Sequence, residues 1–276
     1  MRIGVSGTGG FVGRGFVRYL KGTGDEAVAV KRGQPLPKCD VLVHIAGLAH
    51  RHATYAEFMA ANRDLTVDLA QSARDLGTTR IVFVSSIASV AGHSDQVLTP
   101  DMAFSPLGPY GESKAAAEQA LMAMDGLETV VLRPPLVFGP GAKGNFATLI
   151  RICASGVPLP FASVHNRRSM VGISNLCSAL HFLCRADLTG RIFHVREKEF
   201  SLEEIIAICR RSMGLTPRLF PMSPQLIRCA LKATGRGHMA SQLVDDLIVD
   251  DASLREAGWM PTPTDDMARM ARETRV

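Results

Sequence analysis

The sequence has 276 residues, of which 46% are hydrophobic and 21% charged, and its net charge is +5. This hydrophobic share can bury a large core, which excludes global disorder, and no apolar run reaches the ~18 residues that a membrane-spanning helix needs. The mild basic excess suits small anionic ligands better than nucleic acid. Six cysteines without paired metal spacing and a glycine-rich start unlike a signal peptide predict reduced thiols and a cytoplasmic location.

Strand and helix patterns alternate along the first half of the chain. Short apolar runs predict strands at residues 2–6, 27–31, 40–46, 80–85 and 128–133. Apolar residues at helical spacing predict helices at residues 11–21, 55–76 and 110–125. Such alternation is typical of a parallel sheet covered by helices on both faces. The sequence therefore predicts an α/β fold with a doubly wound sheet.

The second half of the chain is less regular. Its patterns predict helices at residues 144–155 and 175–186, with strands at residues 169–173 and 191–195. No internal repeat or low-complexity linker separates the two halves. We therefore expect two lobes that share one continuous body, with a cleft between them.

Three glycines follow the first predicted strand directly, in the segment GTGGFVG. Gly7 suits a tight turn, Gly10 leaves room for a pyrophosphate beside the backbone, and Gly13 allows helix and strand to pack closely. The next helix begins at Phe11 and Val12, so its unpaired N–H groups and its positive dipole end face the same place. The segment predicts a dinucleotide-binding site rather than a turn without a ligand.

The end of the second predicted strand indicates which dinucleotide is preferred. NAD sites place a carboxylate there to bind the ribose 2′-hydroxyl, whereas this chain has Lys31 and Arg32. Asp25 and Glu26 precede the strand and are poorly placed for the ribose. Because a cation can pair with a 2′-phosphate, we expect NADP(H), with NAD(H) as the alternative.

Tyr110 and Lys114 form a Y-x-x-x-K motif in a predicted helix, where positions i and i+4 share one face. A nearby ammonium favours the phenolate and lowers the pKa of a tyrosine, so the pair can transfer a proton to or from a carbonyl or hydroxyl group. Ser85 and Ser86 lie at the end of a buried strand, and Ser86 is 24 residues before Tyr110. Either serine can supply a hydroxyl to hold the substrate oxygen. No metal-ligand pattern accompanies these residues.

In these motifs the chain resembles the extended short-chain dehydrogenases/reductases of the NAD-dependent epimerase/dehydratase family. The motifs that carry the resemblance span nearly the whole chain: GTGGFVG (7–13), DVLVHIAG (40–47), Asn62, VFVSS (82–86), YGESK (110–114), LRPPLVFGPG (132–141), GNF (144–146), NRRSMV (166–171) and GW-x-P (258–261). The resemblance implies a Rossmann-like dinucleotide-binding domain of residues 1–140 plus about 166–195. Residues 141–165 plus 196–276 would form a smaller substrate lobe.

The resemblance also implies roles for particular residues. Tyr110 is then the acid–base residue, Ser86 hydrogen-bonds the reacting oxygen, and Lys114 binds the nicotinamide ribose. Asn145 and Arg168 contact a nucleotide-sugar, with the planar guanidinium of Arg168 at the diphosphate. The residues expected to line the cofactor are Gly7, Gly10, Phe11, Val12, Gly13, Lys31, Arg32, Ala46, Tyr110, Lys114 and Pro134. A homodimer through helices 55–76 and 110–125 is the family expectation.

The chain departs from the family pattern in four places. Only a short segment separates Arg32 from Asp40, so the sheet is expected to lack the usual third strand. The family acid after the second strand is missing, and Asn175 stands where an aspartate is usual. One extra residue between the two serines and Gly92 leaves open whether Ser85 or Ser86 is the catalytic serine.

Three functions fit these features. The first is an NAD(P)H-dependent reductase of a UDP-linked 4-keto-6-deoxy-N-acetylhexosamine, of the kind used for bacterial lipopolysaccharide O-antigen. The alternative is a UDP-hexose or UDP-N-acetylhexosamine 4-epimerase that keeps NAD bound, and the most remote is a non-catalytic dinucleotide sensor. Dehydration is not expected, because Ile87 and Ala88 occupy the places of the extra acid pair.

Two further groups of polar residues admit two interpretations each. His50, Arg51 and His52 follow the third predicted strand at the edge where ligands bind, and they are either substrate contacts or an ordinary polar loop. Basic residues in the C-terminal third form either a weak membrane-surface patch or, as we expect, a solvated face: Arg210, Arg211, Arg218, Arg228, Lys232 and Arg236.

Overall fold

The computed structural model describes residues 1–49, 53–188, 190–235 and 237–275. Its strands are β1 (Arg2–Ser6), β2 (Glu26–Val30), β3 (Val41–His44), β4 (Arg80–Val84), β5 (Glu128–Arg133), β6 (Leu136–Phe138), β7 (Arg168–Gly172), β8 (Arg191–His194) and β9 (Lys198–Phe200). Its α-helices are α1 (Phe11–Leu20), α2 (Tyr55–Phe58), α3 (Leu65–Asp75), α4 (Gly108–Met122), α5 (Asn145–Ala154), α6 (Ile173–Leu183), α7 (Leu202–Ser212), α8 (Pro224–Ala233), α9 (His238–Val244), α10 (Ala252–Glu256) and α11 (Asp266–Arg275). A π-helical segment (Met59–Asp64) joins α2 to α3, and a 3₁₀ turn (Ile87–Ser89) follows β4.

Six strands form one parallel sheet in the order β2-β1-β3-β4-β5-β8. Alternate side chains of each strand enter two separate apolar layers, because successive side chains point to opposite faces. On one face Val41 and Val43 pack in a cluster with α1 and α6, and on the other Leu42 packs in a cluster with α3 and α4. The predicted doubly wound α/β fold is confirmed.

The connection from β2 to β3 is the shortened part of the fold. Residues 31–40 cross from one side of β1 to the other without a helix or strand of their own. Strand β2 is consequently the edge of the sheet, and no strand lies outside it among the described residues. This confirms the expected loss of the usual third strand.

A smaller lobe is built around the three-stranded sheet β6-β7-β9. Its apolar core is formed by side chains from α5, α7, α8 and α11, with Phe138 and Phe200 from the strands. Leu254 and Trp259 return to the core of the larger sheet, although they come from the segment expected in the substrate lobe. The segment after α9 therefore contributes to the cores of both sheets.

The predicted helix at residues 55–76 is interrupted by its π-helical segment. The buried side chain of Asn62 accepts a hydrogen bond from the Leu48 amide at 2.6 Å, and its Nδ2 donates to the Leu48 carbonyl at 3.0 Å and to Ser113 Oγ at 2.9 Å. The Thr66 hydroxyl donates to the Asn62 carbonyl. π-helical segments of this kind are rare, and hydrophobic spacing does not reveal them.

The core of the larger sheet also contains a histidine and two thiols. His44 is fully buried, with Ser6 Oγ 2.7 Å from Nδ1 and Thr66 Oγ1 2.8 Å from Nε2, so both ring nitrogens have a hydrogen-bond partner. Cys177 and Cys184 are buried in the core, and the cysteines of the described residues are free thiols. Within the described ranges, no helix combines the length and apolar character needed to cross a membrane.

Candidate active site

The glycine loop between β1 and α1 is tight on its inner side and open on its outer side. Gly7 has a positive φ of 71°, and a Cβ on it would lie 2.8 Å from the Ala46 nitrogen. A Cβ on Gly13 would lie only 2.1 Å from the Gly7 carbonyl oxygen. By contrast, a Cβ on the exposed Gly9 would meet no atom within 4 Å, so the outer side has room for a ligand against the backbone.

The start of α1 provides the electrostatics that a pyrophosphate needs. Gly10 is the N-cap, and the first turn contains no acidic residue. Phe11 and Val12 are the first two helical residues, and both are partly buried. Unpaired N–H groups and the helix dipole at this end favour negative charge, so the residues of this loop fit a dinucleotide.

Ala46 and Pro134 lie just beyond the carboxyl ends of two strands of the same sheet. The Ala46 amide donates to Ser6 Oγ at 3.0 Å, which ties the segment after β3 to the end of β1. Pro134 follows β5, and its carbonyl accepts a hydrogen bond from the Ile87 amide at 3.0 Å. Ala46 and Pro134 therefore both lie at the carboxyl edge of the sheet, where ligands of open α/β sheets bind.

Lys31 and Arg32 are exposed at the end of β2, beside the glycine loop. The pairing of Ser6 with Val30 brings the ends of β1 and β2 level with each other, so Lys31 follows β2 at the same edge of the sheet where Gly7 follows β1. Neither cation takes part in an ion pair among the described residues. Within the described part of the chain, both cations are therefore free of protein carboxylates at this edge of the sheet.

Tyr110 lies in the first turn of α4 and faces the end of β4. Its ring contacts Phe58 edge-on, with 6.1 Å between the ring centroids. Burial raises the pKa of Tyr110, and a hydrogen bond with Ser86 acts in the opposite direction. The net direction is upward, opposite to the effect expected from the Tyr–Lys pair, so the phenol retains its proton at neutral pH.

The two serines after β4 have different surroundings. Ser86 caps the 3₁₀ turn by accepting from the Ala88 amide at 3.2 Å, and its hydroxyl reaches Tyr110. Ser85 is buried and donates instead to Glu118 Oε1. The geometry therefore favours Ser86 over Ser85 as the partner of Tyr110.

Glu118, the partner of Ser85, forms a buried ion pair with Arg133. Arg133 donates from Nε and Nη2 to Glu118 Oε2, at 2.9 and 2.6 Å, and both side chains are fully buried. Ser89 donates to the other carboxylate oxygen at 2.8 Å. Sequence reasoning missed this pair, although Glu118 lies one helical turn after Lys114 and Arg133 ends a strand that is otherwise apolar after Thr129.

Lys114 is buried beneath Tyr110. Its ammonium donates to the Val84 carbonyl at 2.9 Å and lies 4.6 Å from the centre of the Phe83 ring. Burial lowers the pKa of Lys114 to about 8, while the carboxylate of Glu118 acts to raise it. A Cβ added at Gly47 would lie 3.5 Å from Lys114 Nζ, so the segment after β3 passes close to the ammonium.

Asn62 and Ser113 complete the support of this helix. Ser113 accepts from Asn62 Nδ2 at 2.9 Å and donates to the Tyr110 carbonyl at 2.8 Å. Sequence reasoning gave Asn62 only as a residue of the family pattern and did not select Ser113. The spacing of Ser113 next to Lys114 in Y-x-x-S-K is the signal that could have identified it.

Asn145 and Arg168 both contact α9, near its middle and its C-terminal end. Asn145 begins α5 and donates to Gln242 Oε1 at 2.7 Å. Arg168 begins β7, and its Nη1 donates to the carbonyls of Ser241 and Asp245 at 3.3 and 2.9 Å. Burial lowers the pKa of Arg168, and the charge of Asp245 opposes this effect.

Asn175, the residue that replaces the usual aspartate, fastens the C-terminal segment to the start of α6. Its Nδ2 donates to Glu197 Oε2 at 2.8 Å and to the Thr262 carbonyl at 2.9 Å, and its Oδ1 accepts from the Thr262 amide. An aspartate would face Glu197 with a second negative charge, which explains the amide. His50, Arg51 and His52 lie outside the described residues, and the described part of the chain contains no cluster of metal-binding side chains.

The fold and the glycine loop define an NAD(P)-binding α/β enzyme with a Tyr–Lys pair at the carboxyl edge of its sheet. The pattern of the NAD dependent epimerase/dehydratase family matches residues 3–195, and the chain belongs to this family. It is 32% identical over 245 residues to a UDP-glucose 4-epimerase of Vibrio cholerae, covering 83% of this chain and 74% of that protein. It is 27% identical over 245 residues to a ceramide reductase of Caulobacter vibrioides, covering 79% and 72%.

Solved structures share the fold over the whole chain. The structure of RMD from Pseudomonas aeruginosa complexed with NADPH matches with a TM-score of 0.79 and 19% identity, covering 100% of both chains. MoeE5 in complex with UDP-glucose and NAD matches with a TM-score of 0.77 and 24% identity, covering 100% of this chain and 99% of that one. At these identities the likeness concerns the fold.

Proposed function

We propose that this protein is an NADPH-dependent reductase of a UDP-linked 4-keto-6-deoxy-N-acetylhexosamine. The observation that carries the proposal is the pair Lys31 and Arg32, exposed beside the glycine loop where NAD enzymes place an acid. Cations there favour NADP(H) over NAD(H). A cofactor that arrives reduced and leaves oxidised in every turnover suits a reductase.

The chain's own residues supply the proton and hold the reacting oxygen. NADPH, when bound along the glycine loop, supplies the hydride that adds to the keto carbon. The Ser86 hydroxyl donates a hydrogen bond to the keto oxygen, and the Tyr110 phenol transfers its proton to that oxygen as the alcohol forms. The raised pKa of Tyr110 supports this direction, because the phenol begins the reaction protonated.

Lys114 has two tasks in this proposal. Its ammonium lies near the segment after β3, where it can hold the hydroxyls of the nicotinamide ribose. It also stabilises the phenolate that remains after proton transfer, because a nearby positive charge favours the ionised tyrosine. Reprotonation of that phenolate from solvent completes the turnover.

Asn145 and Arg168 are proposed to bind the nucleotide-sugar from the smaller lobe. The planar guanidinium of Arg168 binds the diphosphate. To do so it gives up its hydrogen bonds to the carbonyls of Ser241 and Asp245. Asn145 lies at the start of α5, where backbone N–H groups also favour an anion. The division into a dinucleotide-binding domain and a substrate lobe is part of the same proposal.

A 4-epimerase is the second candidate, and the Vibrio cholerae relative named a UDP-glucose 4-epimerase favours it. An epimerase oxidises and then reduces the same carbon, so it must retain NAD through the cycle. The shortened 31–40 connection leaves β2 as an exposed edge and removes part of the usual adenine-side wall. This favours exchange of the cofactor and therefore the reductase.

One experiment separates the two candidates. The purified protein is denatured and its supernatant analysed for bound cofactor, and a second sample is mixed with NADPH and the 4-keto sugar nucleotide. The reductase predicts no stoichiometric NAD and oxidation of NADPH only when the keto sugar is present. Release of one NAD per chain together with interconversion of UDP-glucose and UDP-galactose would establish the epimerase.

The cellular setting follows from the proposed substrate. Such sugars are used in bacterial O-antigen synthesis, and the free thiols of the described residues suit the reducing cytoplasm. We further propose a homodimer in which the α2–α3 region and α4 of two copies pack together, where Tyr55, Leu76 and Met122 are exposed. Sedimentation equilibrium of the wild type and of Met122→Glu tests that arrangement.

A further inference from the structure

The smaller lobe carries a charge bias that the candidate active site does not use. Residues 141–165 and 205–244 together contain eight Lys and Arg and no Asp or Glu. The remaining residues hold 23 Lys and Arg against 26 Asp and Glu. The basic excess of the whole protein is therefore concentrated in two segments of one lobe.

Large apolar side chains are exposed within the same two segments. Ile152, Val157, Phe220 and Leu226 are 41%, 58%, 41% and 60% exposed. Exposed cations from neighbouring positions are Arg151, Arg211 and Arg218, and none of the three is in an ion pair among the described residues. We name these seven residues the basic apolar face.

The buried guanidinium of Arg210 ties the parts of this face together. It donates to the carbonyls of Cys153, Val157 and Arg218, which joins the end of α5 to the loop before α8. The segments also pair through the bridge between Leu159 and Leu219. Arg210 is thus an internal tie and does not belong to the solvated basic face that the sequence suggested.

The face is separate from the candidate active site. Asn145 marks the substrate end of α5, and Ile152 lies in the last turn of the same helix. Ten helical residues span roughly 15 Å, so the face lies at the far end of the helix. Leu226 lies in the first turn of α8, six residues after Phe220 in the chain.

We propose that the basic apolar face binds the surface of a bilayer that contains anionic lipids. Exposed aliphatic and aromatic side chains together with exposed arginines are typical of segments that lie in the headgroup region, where the apolar groups insert and the cations contact lipid phosphates. A second copy of the chain is disfavoured because two such faces would repel each other. Nucleic acid is disfavoured because Ile152, Val157 and Leu226 offer nothing to a phosphate backbone.

Vesicle co-sedimentation tests the proposal with the full-length protein. Vesicles of phosphatidylcholine alone are compared with vesicles of phosphatidylcholine containing phosphatidylglycerol, at low salt and at about 0.5 M NaCl. We expect at least tenfold tighter binding to the anionic vesicles and loss of that gain at high salt, because salt screens exposed charges. Equal binding to both compositions, or no binding to either, would overturn the proposal.

Two paired variants locate the binding surface. Arg211→Glu/Arg218→Glu and Phe220→Glu/Leu226→Glu should each weaken binding to anionic vesicles about tenfold or more. The matched controls are Arg18→Glu/Lys21→Glu, which reverses two exposed charges at α1, and Val97→Glu, which alters a 48% exposed apolar residue of the other lobe. If the control variants lose vesicle binding as strongly as the paired variants, the surface is not a specific lipid-binding face. Salt-dependent binding of the protein to heparin without binding to vesicles would also contradict the proposal.

The test is independent of the proposed reaction. Oxidation of NADPH by the two paired variants, measured with a soluble keto substrate, reports the active site and is expected to equal that of the wild type. Unchanged turnover with lost vesicle binding supports lipid binding by the basic apolar face, whether or not the proposed sugar is the substrate. Unchanged vesicle binding in both paired variants refutes the face, whatever the turnover.

Discussion

At the scale of single residues, the neighbouring serines Ser85 and Ser86 differ in their hydrogen-bond partners. Ser85 donates to the buried Glu118–Arg133 pair, whereas Ser86 is only partly buried and hydrogen-bonds with Tyr110. The sequence alone left the choice between them open. The structure favours Ser86 because a hydroxyl committed to a buried carboxylate cannot also hold a substrate oxygen.

Alanine substitutions should separate these two tasks. We expect Ser86→Ala to lower kcat about 10²- to 10³-fold, as for removal of one donor to a reacting oxygen, with little change in the free energy of unfolding. Ser85→Ala should destabilise the fold by about 1 to 3 kcal/mol, because a buried acceptor loses a partner, and should leave kcat within a few fold. Steady-state kinetics and urea unfolding of both variants check this, and a reversal of the two results would contradict the assignment.

Lys31 and Arg32 are the residues on which the proposed preference for NADP(H) rests. We expect Lys31→Ala/Arg32→Ala to weaken NADPH binding about 10- to 100-fold through loss of charge-assisted hydrogen bonds to a phosphate. Binding of NADH, which lacks that phosphate, should change less than about threefold. Fluorescence titration with both dinucleotides provides the measurement, and an equal loss for NADH and NADPH would show that the two cations do not read the 2′-phosphate.

At the scale of elements, the glycine loop is the feature with the strictest steric requirement. Its inner side is closed by Ala46 and by the Gly7 carbonyl, while its outer side is open. The contrast between Gly13 and Gly9 therefore distinguishes a glycine needed for packing from one needed only for space around a ligand.

The corresponding variants differ by one methyl group each. Gly13→Ala places its Cβ 2.1 Å from the Gly7 oxygen, and we expect a loss of about 2 to 3 kcal/mol in the free energy of unfolding. Gly9→Ala should leave that free energy within about 0.5 kcal/mol of the wild-type value. Thermal and urea unfolding test both, and a fully stable Gly13→Ala protein would show that the loop can rearrange.

The strands of the large sheet could be predicted from the sequence, whereas other features of the elements could not. Apolar runs identified the six strands of the large sheet because side chains of these strands enter the apolar clusters on both faces of the sheet. The π-helical segment was not predicted, because hydrophobic spacing does not distinguish a short π-helical segment from an α-helix. The Glu118–Arg133 pair was not predicted either, because its members lie on different elements and meet only in the folded chain.

At the scale of the whole molecule, buried histidines link stability to pH. Burial lowers the pKa of His44 from 6.5 to about 3 and that of His194 from 6.5 to about 4. Below pH 6.5 the unfolded chain therefore binds more protons than the folded one. Stability is complete above that pH and falls as the pH decreases toward the folded-state values.

We expect the free energy of unfolding to drop by about 6 kcal/mol between pH 7 and pH 4 from these two groups. A loss of that size is comparable to the total stability of a typical domain. Urea unfolding at several pH values measures the slope, with His93→Gln as a control because His93 is exposed. A stability that stays constant from pH 7 to pH 4.5 would contradict the buried neutral state of both rings.

The central claim is that Tyr110 and the glycine loop together perform hydride and proton transfer to a keto sugar. The direct measurement uses NADPH deuterated at the transferred C4 position with a UDP-4-keto-6-deoxy-N-acetylhexosamine, followed by mass spectrometry and NMR of the product. We expect one deuterium at the former keto carbon, and a turnover rate of Tyr110→Phe lower by about 10²- to 10⁴-fold with NADPH binding retained. Product without deuterium, or unchanged turnover by Tyr110→Phe, would contradict the proposed hydride and proton transfer.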